Sequence, residues 1–172
     1  PDSWALTALA EILAQGKEAA LYTTIVKQDK LAPSVSAYQS SDEVAGTFTF
    51  RVRANAGIDL DSIEKSIKNA LNSFEKNGFS DGQLLKIKAR QETDFYNNIS
   101  SVLDKAFQLG IYNEYAGDPN YISTDIEQIS KVSRTDIMRV YQTYIKDKPA
   151  IITSFVPKSQ ANLVVEGSIK AD

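Results

Sequence analysis

The segment Gly46–Ala54 most constrains the fold of this chain, because its side chains alternate strictly between apolar and polar. The apolar side consists of Phe48, Phe50 and Val52, and the polar side consists of Thr47, Thr49, Arg51 and Arg53. A period of two residues is typical of an antiparallel strand that has one buried face and one face in water. Such a strand requires other elements that cover its apolar side.

A second strand is predicted over Leu31–Gln39, where Val35, Ala37 and Gln39 share one face. The connection Ser40–Glu43 is polar and turn-like, so we expect the two strands to form a hairpin. The late apolar run Ala150–Val156 is rich in β-branched residues and predicts a third, buried strand that ends at Pro157.

Helical periodicity occupies most of the remaining chain. The pattern is strongest over Asp61–Gly78, where Asp61 and Glu64 resemble a capping box and the glycine ends the helix. Its apolar stripe is Ile63, Ile67, Leu71 and Phe74. Further helices are predicted over residues 3–15, 17–28, 80–110, 123–130 and 133–147, and the polar stretch 88–94 allows a kink or break in the longest one. Ile137, Val140, Tyr141 and Tyr144 are expected to be buried in the last helix.

This order of elements predicts an α+β fold in which an antiparallel or mixed sheet is covered on one face by helices. The 172 residues suit one domain. We expect it to span residues 1–157, with residues 158–172 as an edge strand or a linker to further sequence. The chain starts at Pro1 with no initiator methionine and enters a helix directly, so we expect it to be cut from a longer polypeptide.

Composition restricts the possible chemistry. The chain has no His and no Cys, which excludes His-dependent triads, thiolate catalysis, and zinc held by imidazole or thiolate. A net charge of −3 and a pI near 5.1 argue against a nucleic-acid partner. No run of 18 apolar residues is present, so a membrane span is not predicted.

Two motifs resemble functional sites but have simpler interpretations. Asp59, Asp61 and Glu64 look like part of a calcium loop, but the required glycine and the distant glutamate are missing, so helix capping is preferred. Asn98–Ser100 matches an N-glycosylation triplet, but a position in the middle of the long helix favours a chance match.

Two groups of basic residues lie on predicted strand and helix faces. Arg51 and Arg53 point the same way and could bind an acidic partner or a peptide carboxylate, although a solvated sheet face is the preferred interpretation. The run that contains Lys86, Lys88 and Arg90 is interpreted as a solvated helix face.

Five phrases, in order and spacing, resemble the second half of a pitrilysin/insulinase-type zinc metallopeptidase domain, also known as the mitochondrial processing peptidase-like domain. The phrases are Leu9–Gly16, Ala20–Tyr22 with Leu31–Ala32, Gly46–Phe50, Ala106–Gly110 and Ile129–Ile137. The resemblance extends to about Lys158. It implies a non-catalytic, C-terminal half-domain of a parent that resembles bacterial zinc proteases.

In this family, two such domains enclose a peptide chamber, and the zinc sits on a His-x-x-Glu-His helix. The companion half often supplies an Arg and a Tyr that grip the peptide, but the matching positions here are Val26 and Pro33, whose side chains cannot do this. We therefore assign no catalytic, cofactor-binding or metal-binding residue to this chain. The resemblance leaves open whether these two positions mean that the grip on substrate is lost.

The resemblance implies a wall of the peptide-degrading chamber, packed against a companion domain that carries the zinc, with peptide as substrate. The alternative is a structural or assembly subunit that has lost proteolysis. The parent is expected to be a zinc metalloendopeptidase, and this chain by itself is expected to hold no zinc. A periplasmic or other exported location is possible for the parent and is not determined by these residues.

The first prediction concerns the metal. The purified chain should bind no stoichiometric zinc and cleave no peptide, because it lacks imidazole and thiolate ligands. Elemental analysis after dialysis against zinc, together with a fluorogenic peptide assay, checks this. One equivalent of retained zinc, or zinc-dependent cleavage, would contradict it.

Overall fold

The computed structural model describes residues 2–42 and 44–170. The helices are α1 (Ser3–Ala14), α2 (Leu60–Asn77), α3 (Asp81–Asn98), α4 (Val102–Ala116), α5 (Ile122–Lys131) and α6 (Arg134–Tyr144). The strands are β1 (Ser34–Ser41) and β2 (Gly46–Arg53). A π-helix (Tyr22–Gln28) follows α1, and a 3-10 helix (Lys158–Leu163) lies near the end of the chain. The fold is α+β with a small antiparallel sheet, as predicted.

Helix α1 is the centre of the core. It packs against β1, α3, α5 and α6, so little of its surface reaches solvent. Its buried alanines allow other elements to approach closely on several sides. The buried apolar side chains of α1 are Ala5, Ala8, Leu9, Ala10, Ile12, Leu13 and Ala14. The core against α1 is completed by the hairpin, α2 and α6.

The hairpin has the predicted faces. Val35 is opposite Val52, and Ala37 is opposite Phe50, on the side that packs against the core. Gln39 lies on the same side, where its Nε2 donates to Ser3 Oγ and Thr7 Oγ1 of α1. The strand predicted from Leu31 begins only at Ser34, because Pro33 has no N–H to contribute to a ladder. Glu43 of the predicted turn lies outside the described residues.

Helix α2 shows how side chains and backbone set a helix's ends. The expected capping box of Asp61 and Glu64 is wrong: Asp59 is the N-cap and accepts from the Asp61 N–H, and Glu64 pairs with Lys68. Gly78 ends the helix with a φ of 64°, which favours glycine. Ile63 and Phe74 of the predicted stripe are buried.

The long helix predicted over residues 80–110 is two helices. The break falls at Ile99–Ser101, and not in the polar stretch 88–94. The buried Ile99 packs with Phe95 and Ile129, and the Ser101 side chain accepts from the Asp104 N–H and starts α4. The predicted stop at Gly110 is also wrong, because α4 continues to Ala116 and ends at the left-handed Gly117.

The predicted third strand is the main error. Residues 150–157 form no regular secondary structure, and Ile151 and Phe155 are 98% and 89% exposed. A strand is stabilised by a ladder with a neighbouring strand, and the described sheet contains only β1 and β2. Within the tail, residues 158–170 form the 3-10 helix and no strand, and its role as a linker stays a prediction.

Two helices differ from prediction in detail. The second helical segment, predicted from Lys17, is a π-helix over Tyr22–Gln28, after which the Asp29 N–H donates to the Thr24 carbonyl. In α6 the Ser133–Asp136 capping box forms, but Tyr144 is half exposed and not buried as expected.

The second prediction tests the central helix. Leu9→Ala removes a side chain with 0% exposure and should lower the free energy of unfolding by about 2–5 kcal/mol. Urea denaturation followed by circular dichroism measures this. Leu85→Ala, at a position that is 70% exposed, is the control and should change it by less than about 0.5 kcal/mol. Equal effects of the two substitutions would contradict the central position of α1.

Candidate functional site

A cleft of about 440 Å³ lies where α1, α5 and α6 meet. It is lined by Trp4, Ala5, Tyr121, Gln128, Lys131, Val132, Asp136 and Arg139. The basic groups are already paired: Lys131 with Glu127, and Arg139 with Asp2. The cleft therefore presents aromatic and amide groups more than free charge.

Asp125 organises the side of this region that faces α4. Trp4 Nε1 donates to Asp125 Oδ1 at 2.6 Å, and the Tyr112 hydroxyl donates to Asp125 Oδ2 at 2.8 Å. One carboxylate thus connects α1, α4 and α5. Burial, followed by the bond to Asp125, raises the pKa of the Tyr112 phenol, so the phenol remains a proton donor. The arrangement holds the three helices together.

A second carboxylate, that of Asp2, connects the start of α1 to α6. Asp2 accepts from Arg139 in a bidentate pair at 2.8 and 3.1 Å, and from the Tyr144 hydroxyl at 2.9 Å. The hydrogen bond from Arg139 holds the pKa of Asp2 below its ordinary value. Asp2 is the N-cap residue of α1, but its side chain makes no capping bond and binds α6 instead.

The basic residues that the sequence singled out lie in two different environments. Arg51 and Arg53 are exposed on the outer face of the hairpin and form no ion pair with any described residue. Lys88 donates to the Ser130 carbonyl at 2.7 Å, and Arg90 bonds Gln15 and pairs with Asp94. Lys88 and Arg90 therefore attach α3 to α5 and to the end of α1. The interpretation of this run as a purely solvated face is wrong for these two residues.

The other singled-out positions are not brought together. Asn98 is the last residue of α3, at the break, and not in the middle of a helix as expected. Val26 is half-buried in the π-helix, and Pro33 is exposed just before β1.

In residues 2–42 and 44–170, no three His, Cys, Asp or Glu side chains are placed so that they could hold a metal ion. No helix of this described part is long and apolar enough to cross a bilayer.

Helix α4 presents a surface that the sequence did not predict. Its periodicity suggested burial, but only Tyr112 is buried, and the apolar side faces solvent. On the exposed side, Leu103, Phe107 and Ile111 follow one another at intervals of four residues, beside Val102, Ala106 and Gly110. Periodicity alone identifies an apolar stripe and not what covers it. We call this set the α4 face.

Comparison with known proteins identifies the family. A family model described as the peptidase M16 inactive domain matches residues 1–91, just over half of the chain. The chain belongs to the M16 peptidase family, as an inactive peptidase domain. This confirms the resemblance to pitrilysin/insulinase-type zinc metallopeptidases and explains why no catalytic constellation was found in the sequence.

Two of the similar proteins come from Helicobacter pylori. A zinc protease of Helicobacter pylori, PqqE, is 26% identical over 153 residues, which are 85% of this chain and 33% of that protein. The crystal structure of a protease from Helicobacter pylori is 27% identical with a TM-score of 0.71, over 85% of this chain and 35% of that one. This M16 domain therefore spans about one third of the length of these relatives.

A shorter structure has the same fold. It is the inactive peptidase domain of a Bordetella parapertussis protein classed as a zinc protease, with a TM-score of 0.73 and 22% identity. The matched part covers 84% of this chain and 78% of that one. The fold described here is thus that of an M16 inactive domain.

The third prediction concerns Asp125. Asp125→Ala leaves the Trp4 and Tyr112 donors without their acceptor and should lower the free energy of unfolding by about 2–4 kcal/mol. Because Trp4 is the only tryptophan, its fluorescence should also shift. Glu127→Ala on the same helix breaks only an exposed pair and should cost less than about 0.5 kcal/mol. An unchanged emission spectrum would contradict the role of Asp125.

Proposed function

We propose that this inactive M16 domain forms part of the wall of a peptide-degrading chamber and packs against a companion domain that carries the catalytic zinc. Peptide is the substrate of the assembled protein, and the zinc chemistry belongs to the companion domain. The observation that carries the proposal is the exposed α4 face, in a chain whose other amphipathic helices bury their apolar sides.

The α4 face has the chemistry of a protein–protein contact. Leu103 and Phe107 are each 65% exposed, and a cluster of apolar side chains on one side of a helix is an unfavourable surface in water. Ala106 and Gly110 lie between them, and such small residues allow a second helix to approach closely. The matched part is 85% of this chain but only 33–35% of the Helicobacter pylori relatives, so those proteins contain much further sequence. A companion domain is therefore the occupant that we propose.

The outer face of the hairpin has a different character and is proposed to face the chamber. It is polar and exposed, with hydroxyl groups on both strands and the two arginines on β2. Ser36 is opposite Arg51, and Ser34 is opposite Arg53, so small side chains leave the guanidinium groups accessible. Such groups can bind the carboxylates of an acidic peptide or a peptide C-terminus.

The fourth prediction tests the α4 face with the zinc-bearing domain that is encoded with this chain. Phe107→Asp places a charge in the apolar face and should weaken association with that domain at least about tenfold, and peptide cleavage should fall in parallel. Leu85→Asp, on an exposed apolar residue of α3, is the matched control and should leave both unchanged. Isothermal titration calorimetry and a fluorogenic peptide assay give the two readings.

The outcomes separate the candidate functions. Association that depends on Phe107, together with peptide cleavage, supports the chamber wall. Association without cleavage by the purified, zinc-loaded pair would instead favour the structural or assembly subunit. If Phe107→Asp and Leu85→Asp bind the companion domain equally well, the α4 face is not the contact.

A further inference from the structure

A buried carboxyl and a buried amide meet between α1 and α3, and each leaves one oxygen without a partner. Glu11 of α1 is 9% exposed and Gln91 of α3 is 4% exposed. Gln91 Nε2 donates to Glu11 Oε1 at 3.2 Å. Neither Glu11 Oε2 nor Gln91 Oε1 accepts or donates a hydrogen bond within the described chain. Buried polar atoms without partners are rare and require an explanation.

A single proton on Glu11 would give both unpartnered oxygens a hydrogen bond. If Glu11 is ionised, its second oxygen and the amide oxygen of Gln91 are both acceptors, and neither can satisfy the other. If Glu11 carries a proton on Oε2, that O–H can donate to Gln91 Oε1 while the amide N–H donates to Glu11 Oε1. The two groups then form a closed pair with two hydrogen bonds and no net charge.

We propose that Glu11 is a neutral carboxylic acid in the folded domain, that it forms this acid–amide pair with Gln91, and that its ionisation loosens α3 from α1. Burial, the largest influence, raises the pKa of Glu11 above its ordinary value of 4.5, and the charge of Asp94 acts in the same direction. The hydrogen bond from Gln91 and the charge of Arg90 act in the opposite direction and are outweighed.

The charged groups of the surrounding elements do not neutralise an ionised Glu11. Glu11 is the only charged residue of α1, and β1 contains none. Arg90 of α3 is shared with Gln15 and Asp94. The charges of α5 and α6 have partners elsewhere: Asp125 with Trp4 and Tyr112, Glu127 with Lys131, Arg134 with Asp81, Asp136 with Ser133, and Arg139 with Asp2.

The position of the pair explains why it would control α3. Helix α3 connects the main core around α1 to a smaller cluster of Phe95, Ile99 and Ile129. Its other polar attachments to neighbouring elements, through Asp81, Lys88 and Arg90, lie at or near the surface. The contact between Glu11 and Gln91 is the buried one. The charge of Glu11 therefore controls how firmly α3 is held against α1. Because α5 packs against α3, it also affects how firmly α5 is held.

The direction of the pH dependence follows from proton binding. A carboxyl whose pKa is higher in the folded state binds more protons when folded than when unfolded. Its stabilising contribution is therefore full below about pH 4.5 and is lost as the pH rises through the folded-state pKa. Within that window the unfolding equilibrium constant should rise by up to about tenfold per pH unit.

The fifth prediction is tested on the full chain by two measurements. In ¹³C-detected NMR, the Glu11 side-chain carboxyl, assigned on the wild type through its bonded carbons, should titrate above the ordinary glutamate pKa of 4.5. In hydrogen exchange, the α3 amides of the wild type should lose protection as the pH rises through that transition, beyond the intrinsic change in exchange rate.

Matched variants complete the test. Glu11→Gln supplies a permanent N–H donor to Gln91 Oε1 and should make the protection of α3 independent of pH over the same range. Glu92→Gln, an exposed residue next to Gln91, should behave as the wild type does. The proposal is overturned if Glu11 titrates at or below that ordinary value, or if Glu11→Gln keeps the pH dependence of the wild type. The titration is measured on the wild type, so it remains decisive even if a variant fails to fold.

Discussion

Burial of α1 on nearly all sides is the constraint on which the rest of the structure depends. The inner face of the hairpin, α3, α5 and α6 each bury apolar surface against this helix. Its alternation of Ala with Leu and Ile lets the neighbours approach closely. Because burying a charge costs free energy, Glu11 is the residue of α1 whose burial is most unfavourable. Gln91 is the residue that supplies a hydrogen bond to its carboxyl group.

Polar side chains in this domain are used for attachment between helices. Asp125 binds donors from α1 and α4, and Asp2 binds donors from α6. Each carboxylate is thus occupied by neighbours and is not directed at a shared point in a cleft. This agrees with membership of the M16 family as an inactive domain.

The α4 face and the outer face of the hairpin differ in polarity, as the proposed position between a companion domain and a chamber requires. The α4 face is apolar and includes small residues, which favours contact with another folded surface. The outer face of the hairpin is rich in hydroxyl groups and carries two arginines, which favours contact with water and polar ligands. The proposed role as a chamber wall would use both surfaces, one against the companion domain and one facing the chamber.

Local patterns predicted much of the fold. The alternation in β2 correctly gave its inner and outer faces, and the Ser133–Asp136 pair correctly gave the start of α6, because both effects act within a few residues. The family resemblance, carried by short phrases in order, was also correct. The run Ala150–Val156 failed as a strand because strand formation requires a neighbour, and its own composition cannot supply one.

The sequence by itself thus determined that the chain has no imidazole or thiol group, that two strands form a hairpin, and where most of the α-helices lie. Only the tertiary structure decided where the long helix breaks, that the apolar side of α4 is uncovered, and that Glu11 meets Gln91. The physical reason is the same in each case. These features depend on contacts between residues far apart in the chain, where burial and the supply of hydrogen-bond partners are set by packing and not by neighbours in sequence.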